Sequence, residues 1–155
     1  MFAGVGCFSL IICRHSKPSK VYSIDINPDA VGFMKENVRI NGQYGKVIPI
    51  LGDAREIIET RLRGIADRVI MPLPEKALAY LPAALSALKG SGGWIHYHDF
   101  VYAGKGEDPI REARTNLLAT AKELRIAVGS LTGRVVRTTG PRWYHVVLDM
   151  KVNGT

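Results

Sequence analysis

Two carboxylates, Asp25 and Asp53, follow a glycine-rich opening, Met1-Phe2-Ala3-Gly4-Val5-Gly6, at intervals suited to gripping a nucleoside. Glycines let a backbone approach a ligand closely, and such a loop feeds a helix whose first N–H groups have no partner inside the helix. Asp25 closes the next apolar run, near the spacing of about 20 residues at which an acid accepts ribose hydroxyls. It could instead cap the following helix, or form a turn with Asn27 ahead of Pro28. Asp53, in Gly52-Asp53-Ala54, can accept a hydrogen bond from an adenine amino group, and it would serve equally well as a helix N-cap. The loop and both acids fall at the C-terminal ends of successive strands, the edge where open α/β sheets bind ligands. Together they favour an adenosine-containing cofactor.

Three further clusters bear on chemistry. Asp67-Arg68-Val69-Ile70-Met71 delivers Pro72-Leu73-Pro74 to the same edge. Prolines fix φ and lack an N–H, so their carbonyls are presented in a defined place, which suits gripping a planar heterocycle by its amino hydrogens. A plain strand-to-helix loop would read the same way. In His96-Tyr97-His98-Asp99 the two histidines face one side of a strand and Tyr97 and Asp99 the other, with Asp99 expected at the strand end. No further ligands stand at metal-binding spacing, since His15 and His145 are isolated, so no metal is expected. Arg134, Arg137 and Arg142 flank the last pair of strands beside Trp143 and Tyr144, a combination suited to phosphate contact and base stacking or to a solvated rim.

The elements that must position these residues follow from periodicity. A helix over Gly6–Cys13, a strand over Lys20–Ile26 and a helix from Pro28 to about Ile40 come first, with Val31, Met34 and Val38 on one face. Next come a strand over Lys46–Leu51, a short helix over Asp53–Arg63, a strand over Ala66–Met71 and a helix over Glu75–Leu88. Trp94–Phe100 is a strand, and Pro109 opens a helix to about Leu124. Strands over Gly129–Thr138 and Trp143–Val152, separated by Gly140-Pro141, form an antiparallel hairpin. The 155 residues imply one α/β domain spanning 1–155, with a mostly parallel sheet. A net charge of +7 suits an anionic partner such as nucleic acid. Cys7 and Cys13 are too few for a disulfide framework. No run approaches the roughly 20 apolar residues of a membrane span, and no signal peptide is visible. A cytoplasmic monomer that does not bind membranes is expected.

These motifs, in this order, resemble the methyltransferase domain of the archaeal and eukaryotic tRNA guanine-37 N1-methyltransferases, a Rossmann-like class I fold. The resemblance rests on the glycine loop, Asp25-Ile26-Asn27-Pro28, Gly52-Asp53-Ala54-Arg55, Asp67 to Pro74 and Trp94 to Phe100. The closing Val135-Val136-Arg137 and Trp143 to Asp149 also fit. It implies S-adenosylmethionine as cofactor and tRNA as substrate. It implies that Phe2, Ala3, Gly4 and Gly6 line the methionine half, Asp25 and Ile26 the ribose, and Asp53 and Ala54 the adenine. The family's Asn-Leu-Pro beside the target base falls on Pro72-Leu73-Pro74, where Pro72 replaces the asparagine. The glycine loop opens at residue one with no strand before it, so the first strand is expected to be missing, and the resemblance implies that the family's glutamate proton acceptor also lies upstream of the loop. A sheet lacking that strand has an open slot, and low stability is expected of it. Three other readings remain: a wybutosine-type aminocarboxypropyl transferase on the same tRNA position, a fragment of a nicotinamide-dependent dehydrogenase, and an inactive remnant.

Overall fold

The computed structural model describes residues 1–154 and resolves two compact units, Met1–Ile57 and a second from Ile58 onward. In the first unit the glycine loop leads into α1 (Cys7–His15), then β1 (Val21–Asp25), α2 (Pro28–Ile40), β2 (Val47–Leu51) and the short α3 (Ala54–Ile57). β1 and β2 pair in parallel, from Val21 opposite Val47 to Asp25 opposite Leu51. Parallel neighbours need a crossover, and α2 supplies it. Its start is set by Asn27, whose side chain accepts from the N–H groups of Asp29 (2.9 Å) and Ala30 (3.4 Å), with Pro28 in the first turn. Its buried stripe, Val31, Met34 and Val38, packs with Cys13 and Val47 into the core of this unit. A buried hydroxyl pair, Ser9 and Ser23 at 2.6 Å, ties α1 to β1.

The second unit begins with a π-helical turn (Ile58–Leu62) and continues through β3 (Arg68–Met71), α4 (Pro74–Ala87), β4 (Gly92–Tyr102), α5 (Pro109–Glu123), β5 (Val128–Gly140) and β6 (Trp143–Asn153). The strand order is β3-β4-β6-β5, parallel between β3 and β4 and antiparallel thereafter. One face of this sheet carries Met71, Ile95, Leu148 and Met150, all fully buried. The helices cover that face. A Cβ on Gly133 would strike Leu148 and Ile110, the latter at the start of α5, and one on Gly93 would strike the Asp67 backbone oxygen just ahead of β3 as well as Leu88, the residue after α4. Glycine at these two sites lets helix and sheet approach.

The alternation and the closing hairpin match the sequence reading, but the one mostly parallel sheet expected is a parallel pair, β1–β2, and a mixed four-stranded sheet with one parallel pairing, because the long β5–β6 hairpin adds two antiparallel ladders. Three local differences accompany this. The single helix expected over Asp53–Arg63 is α3 followed by a wider π turn, which buries both Ile58 and Leu62. Asp99 is not at a strand end, because β4 runs on to Tyr102. Its continuation is paired residue for residue with β6, and Val101 there is buried. The hairpin turns on two residues, Pro141 and Arg142, with Arg142 at φ 62. A proline followed by a left-handed residue is a type II arrangement that ordinarily selects glycine or asparagine second.

Candidate cofactor and nucleic-acid sites

In the first unit the glycine loop is built on left-handed residues, with Phe2 at φ 52, Gly4 at φ 54 and Gly6 at φ 89. Gly6 is irreplaceable on space as well, because a Cβ there would lie 2.8 Å from Met34 Cγ. Gly4 has nothing within 4 Å of such a Cβ, so the loop presents open backbone at that point. Asp25 decides the loop's position. Its Oδ2 accepts from the Gly4 N–H at 2.7 Å and its Oδ1 from the Asn27 N–H at 3.0 Å. The capping of α2 belongs to Asn27, so Asp25 is not the cap. Each carboxylate oxygen receives one backbone N–H and keeps acceptor capacity for a second donor, as a pair of vicinal hydroxyls requires. Ile26 beside it is 67% exposed, an apolar side chain standing at the strand edge.

Asp53 behaves as the local alternative described. Its Oδ1 caps α3, accepting from Arg55 N–H at 2.7 Å and Glu56 N–H at 3.4 Å. Ala54 is buried at 4% exposure, so only its backbone can meet a ligand. These residues fit an adenosyl group: an acid for the ribose, an open glycine backbone and an acid one strand further on.

In the second unit, Pro72-Leu73-Pro74 joins β3 to α4. Leu73 is the N-cap residue, its carbonyl accepting from Lys76 N–H at 3.2 Å, and Pro74 is the first helical residue. All three are half-buried. The sheet face away from the helices holds the histidines. His96 Nδ1 lies 2.6 Å from Asp149 Oδ1, while Arg134 donates to Asp149 Oδ2 at 3.0 Å. Arg68 Nη1 stands 3.3 Å from His96 Nε2. With Arg68 donating, His96 carries its proton on Nδ1 and gives it to Asp149, so one polar chain crosses all four strands. Burial opposes ionisation of Asp149, but the His96 hydrogen bond and the Arg134 guanidinium outweigh it and hold the carboxyl below its usual range. Next along the face, His98 Nδ1 lies 2.9 Å from His145 Nε2. Burial, reinforced by His145 and Arg134, pushes His98 down to about 4, and burial with Arg137 lowers His145. On the helix-covered face, burial raises Asp99 to about 6.

The sequence reading singled out the histidines, Arg134 and Arg137, but missed Asp149, the residue that joins His96 to Arg134. Its only signal is the register of β6 against β4 and β5. Arg137 lies beside His145 in the ladder, and Arg142 sits at the turn, reaching the Tyr102 hydroxyl at 3.4 Å. Among the described residues no group of His, Cys, Asp and Glu is arranged to hold a metal, and no helix is long and apolar enough to cross a membrane.

Residues 1–128 match the family described as the TRM5/TYW2 methyltransferase domain. The chain belongs to this family. Among curated relatives, the TRM5/TYW2 domain here is 43% identical over 154 residues to the tRNA 4-demethylwyosine(37)-methyltransferase Taw21 of Saccharolobus solfataricus, covering 99% of this chain and 53% of that protein. It is 39% identical to the tRNA (guanine(37)-N(1))-methyltransferase Trm5b of Pyrococcus abyssi, covering 99% and 43%. It is 37% identical to a tRNA(Phe) (4-demethylwyosine(37)-C(7)) aminocarboxypropyltransferase of Methanocaldococcus jannaschii, covering 97% and 57%. Among solved structures, M. jannaschii TYW2 in complex with AdoMet superposes with a TM-score of 0.85 at 34% identity, covering 100% of this chain and 67% of that one. The chain thus spans about half the length of the curated relatives it matches. The α/β methyltransferase fold expected from the sequence is the one observed.

Proposed function

We propose that this TRM5/TYW2 domain binds S-adenosylmethionine and directs its methyl group to N1 of guanine at position 37 of tRNA. The observation that carries the reading is the Asp25 carboxylate, fixed by the Gly4 and Asn27 amides beside an open glycine backbone. Phe2, Ala3, Gly4 and Gly6 hold the methionine half, Asp25 and Ile26 the ribose, and Asp53 with the Ala54 backbone the adenine. When bound, the cofactor supplies an activated methyl on a sulfonium, which leaves as a thioether.

The chain's part is to hold and orient the base. Pro72, Leu73 and Pro74 are rigid, half-buried groups at the end of β3, suited to orienting a flipped base by contact. Orientation of this kind lowers the barrier without a covalent step. Guanine N1 carries a proton at neutral pH, so a positioned base must remove it, a contribution of about a hundredfold to ten-thousandfold. Arg134, Arg137 and Arg142 hold phosphates. Arg142 keeps a left-handed φ that costs an L-residue about 1–2 kcal/mol, a strain consistent with a role for its side chain. The enzyme works as a cytoplasmic monomer on tRNA, away from membranes.

A second reading has its own support. The methyl and aminocarboxypropyl relatives are similarly close, and two of the three, one of each kind, are named for 4-demethylwyosine(37) rather than guanine. Incubation with S-adenosylmethionine and tRNA, followed by nucleoside and co-product analysis, separates them. S-adenosylhomocysteine with 1-methylguanosine supports methyl transfer to guanine. Methylthioadenosine replaces it with aminocarboxypropyl transfer. Reaction only on tRNA already carrying 4-demethylwyosine moves the target to the modified base.

A further inference from the structure

Trp94 stands on the sheet face opposite the helices, between two cations contributed by its neighbours on either side. The Arg68 guanidinium carbon lies 5.5 Å from the ring centroid and the Lys151 ammonium 5.7 Å from it. Arg68 is opposite Trp94 in the β3–β4 ladder and Lys151 is opposite it in the β4–β6 ladder, so the arrangement is fixed by backbone register. Among the described residues neither cation has a carboxylate partner. Asp149, on the same face, is taken by His96 and Arg134, and Asp67 is taken by Lys89 at 2.7 Å. Two like charges around one ring repel, and cation–π attraction at exposed sites offsets that only in part. An anion between them removes the repulsion.

The face continues in kind. Eight residues along β4 from Trp94 is Tyr102, which meets Trp143 edge-to-face at 5.8 Å, and Arg137 is exposed nearby. At about 3.4 Å per residue the strip is roughly 27 Å long, room for several nucleotides. Cations outnumber acids along it, and aromatic rings mark both ends, the composition of a surface that tracks a phosphate backbone and stacks bases.

We infer that this face is a docking strip for a looped or single-stranded RNA segment, with the Arg68–Trp94–Lys151 cluster holding a phosphodiester at one end and Trp143 offering a stacking surface at the other. This rests on the reading that RNA is the substrate and extends it to a surface distinct from Pro72-Leu73-Pro74. A protein segment rich in acids would also meet the charge, but it would leave the paired aromatic ends without a stacking partner.

The test uses the fact that both tryptophans of the chain lie on this strip. Tryptophan emission of the whole chain is followed during titration with a synthetic anticodon stem-loop RNA carrying guanine at position 37, across a range of salt. A Trp143→Phe variant leaves Trp94 as the sole reporter. RNA is expected to quench Trp94, and Arg68→Gln with Lys151→Gln to weaken binding about tenfold and reduce the salt slope by about 1 per cation removed. Lys151→Arg, which keeps the charge, is expected to retain the slope, and it guards against a merely structural effect. Unchanged affinity and slope in the double variant, or quenching by polyglutamate as strong as by RNA, overturns the inference. Product analysis with the same RNA reads the transfer reaction rather than contact with this face. Product with no Trp94 response sinks the docking strip alone, whereas quenching without product sinks the proposed reaction and leaves the strip.

Discussion

Acidification should loosen the second unit through His98. This side chain is buried, hydrogen-bonded to His145, and faced by His145, Arg134, Asp149 and His96. Its pKa falls to about 4 from the ordinary 6.5. A histidine whose folded pKa is depressed stays neutral in the fold while the unfolded chain takes up a proton. Its contribution is therefore intact above about 6.5 and is lost as pH falls towards about 4. The gap corresponds to about 3 kcal/mol. Asp99 acts in the opposite sense. Its folded pKa is raised to about 6, so the fold binds its proton more tightly than the unfolded chain and stability drops as pH rises from about 3.8 to about 6. The two slopes oppose each other, so the wild type alone would hide both. A His98→Gln variant, which keeps a hydrogen-bonding group but gains no proton, isolates the first. Urea unfolding at pH 7 and pH 4.5 should show the wild type losing about 2 kcal/mol more than the variant. Identical pH dependence in the two proteins would refute the assignment of the shift to His98.

Further outcomes follow from single contacts. Asp99→Asn removes the charge that burial penalises and should stabilise the protein at pH 7 by about 1 kcal/mol, with the gain vanishing below pH 4, read from the same urea curves. Gly6→Ala meets both a left-handed φ and Met34, and should cost about 2–4 kcal/mol in the urea midpoint together with loss of S-adenosylhomocysteine binding. Asp25→Asn should weaken S-adenosylhomocysteine by at least tenfold in calorimetry, since hydrogen bonds to a charged group contribute about 1.5–3 kcal/mol. NADH, run beside it, should not bind either protein. Arg142→Gly should raise stability by about 1 kcal/mol while lowering RNA affinity, and a thermal melt with a parallel RNA titration reads both.

What could be read in the sequence was whatever is encoded locally. Asn27-Pro28 announces the start of α2 because a side-chain cap and a fixed φ act within three residues, and Val31, Met34 and Val38 declare its buried face by spacing. Asp53 was ambiguous because capping and adenine contact ask the same of a carboxylate, and the cap is indeed made. The polar chain through Asp149 was not legible, since it depends on which residues of β5 and β6 stand opposite one another. Three irregularities in β5, at Val128/Ser130, Val135/Arg137 and Thr138/Gly140, move that register in ways no spacing rule foretells. The extension of β4 past Asp99 was hidden for the same reason: Tyr102 and Val101 belong to the strand because Trp143 and Tyr144 lie across from them.

The double grip of Asp25 on Gly4 and Asn27 has a consequence for how quickly a ligand is captured. The carboxylate proposed for the ribose already fixes the loop through two backbone hydrogen bonds, so little remains to be ordered on arrival. Stopped-flow traces of adenosyl ligand binding should therefore be single exponentials, with rates that climb linearly with ligand concentration and no plateau from a slow closing step. Loosening that grip would show first as a lag in capture.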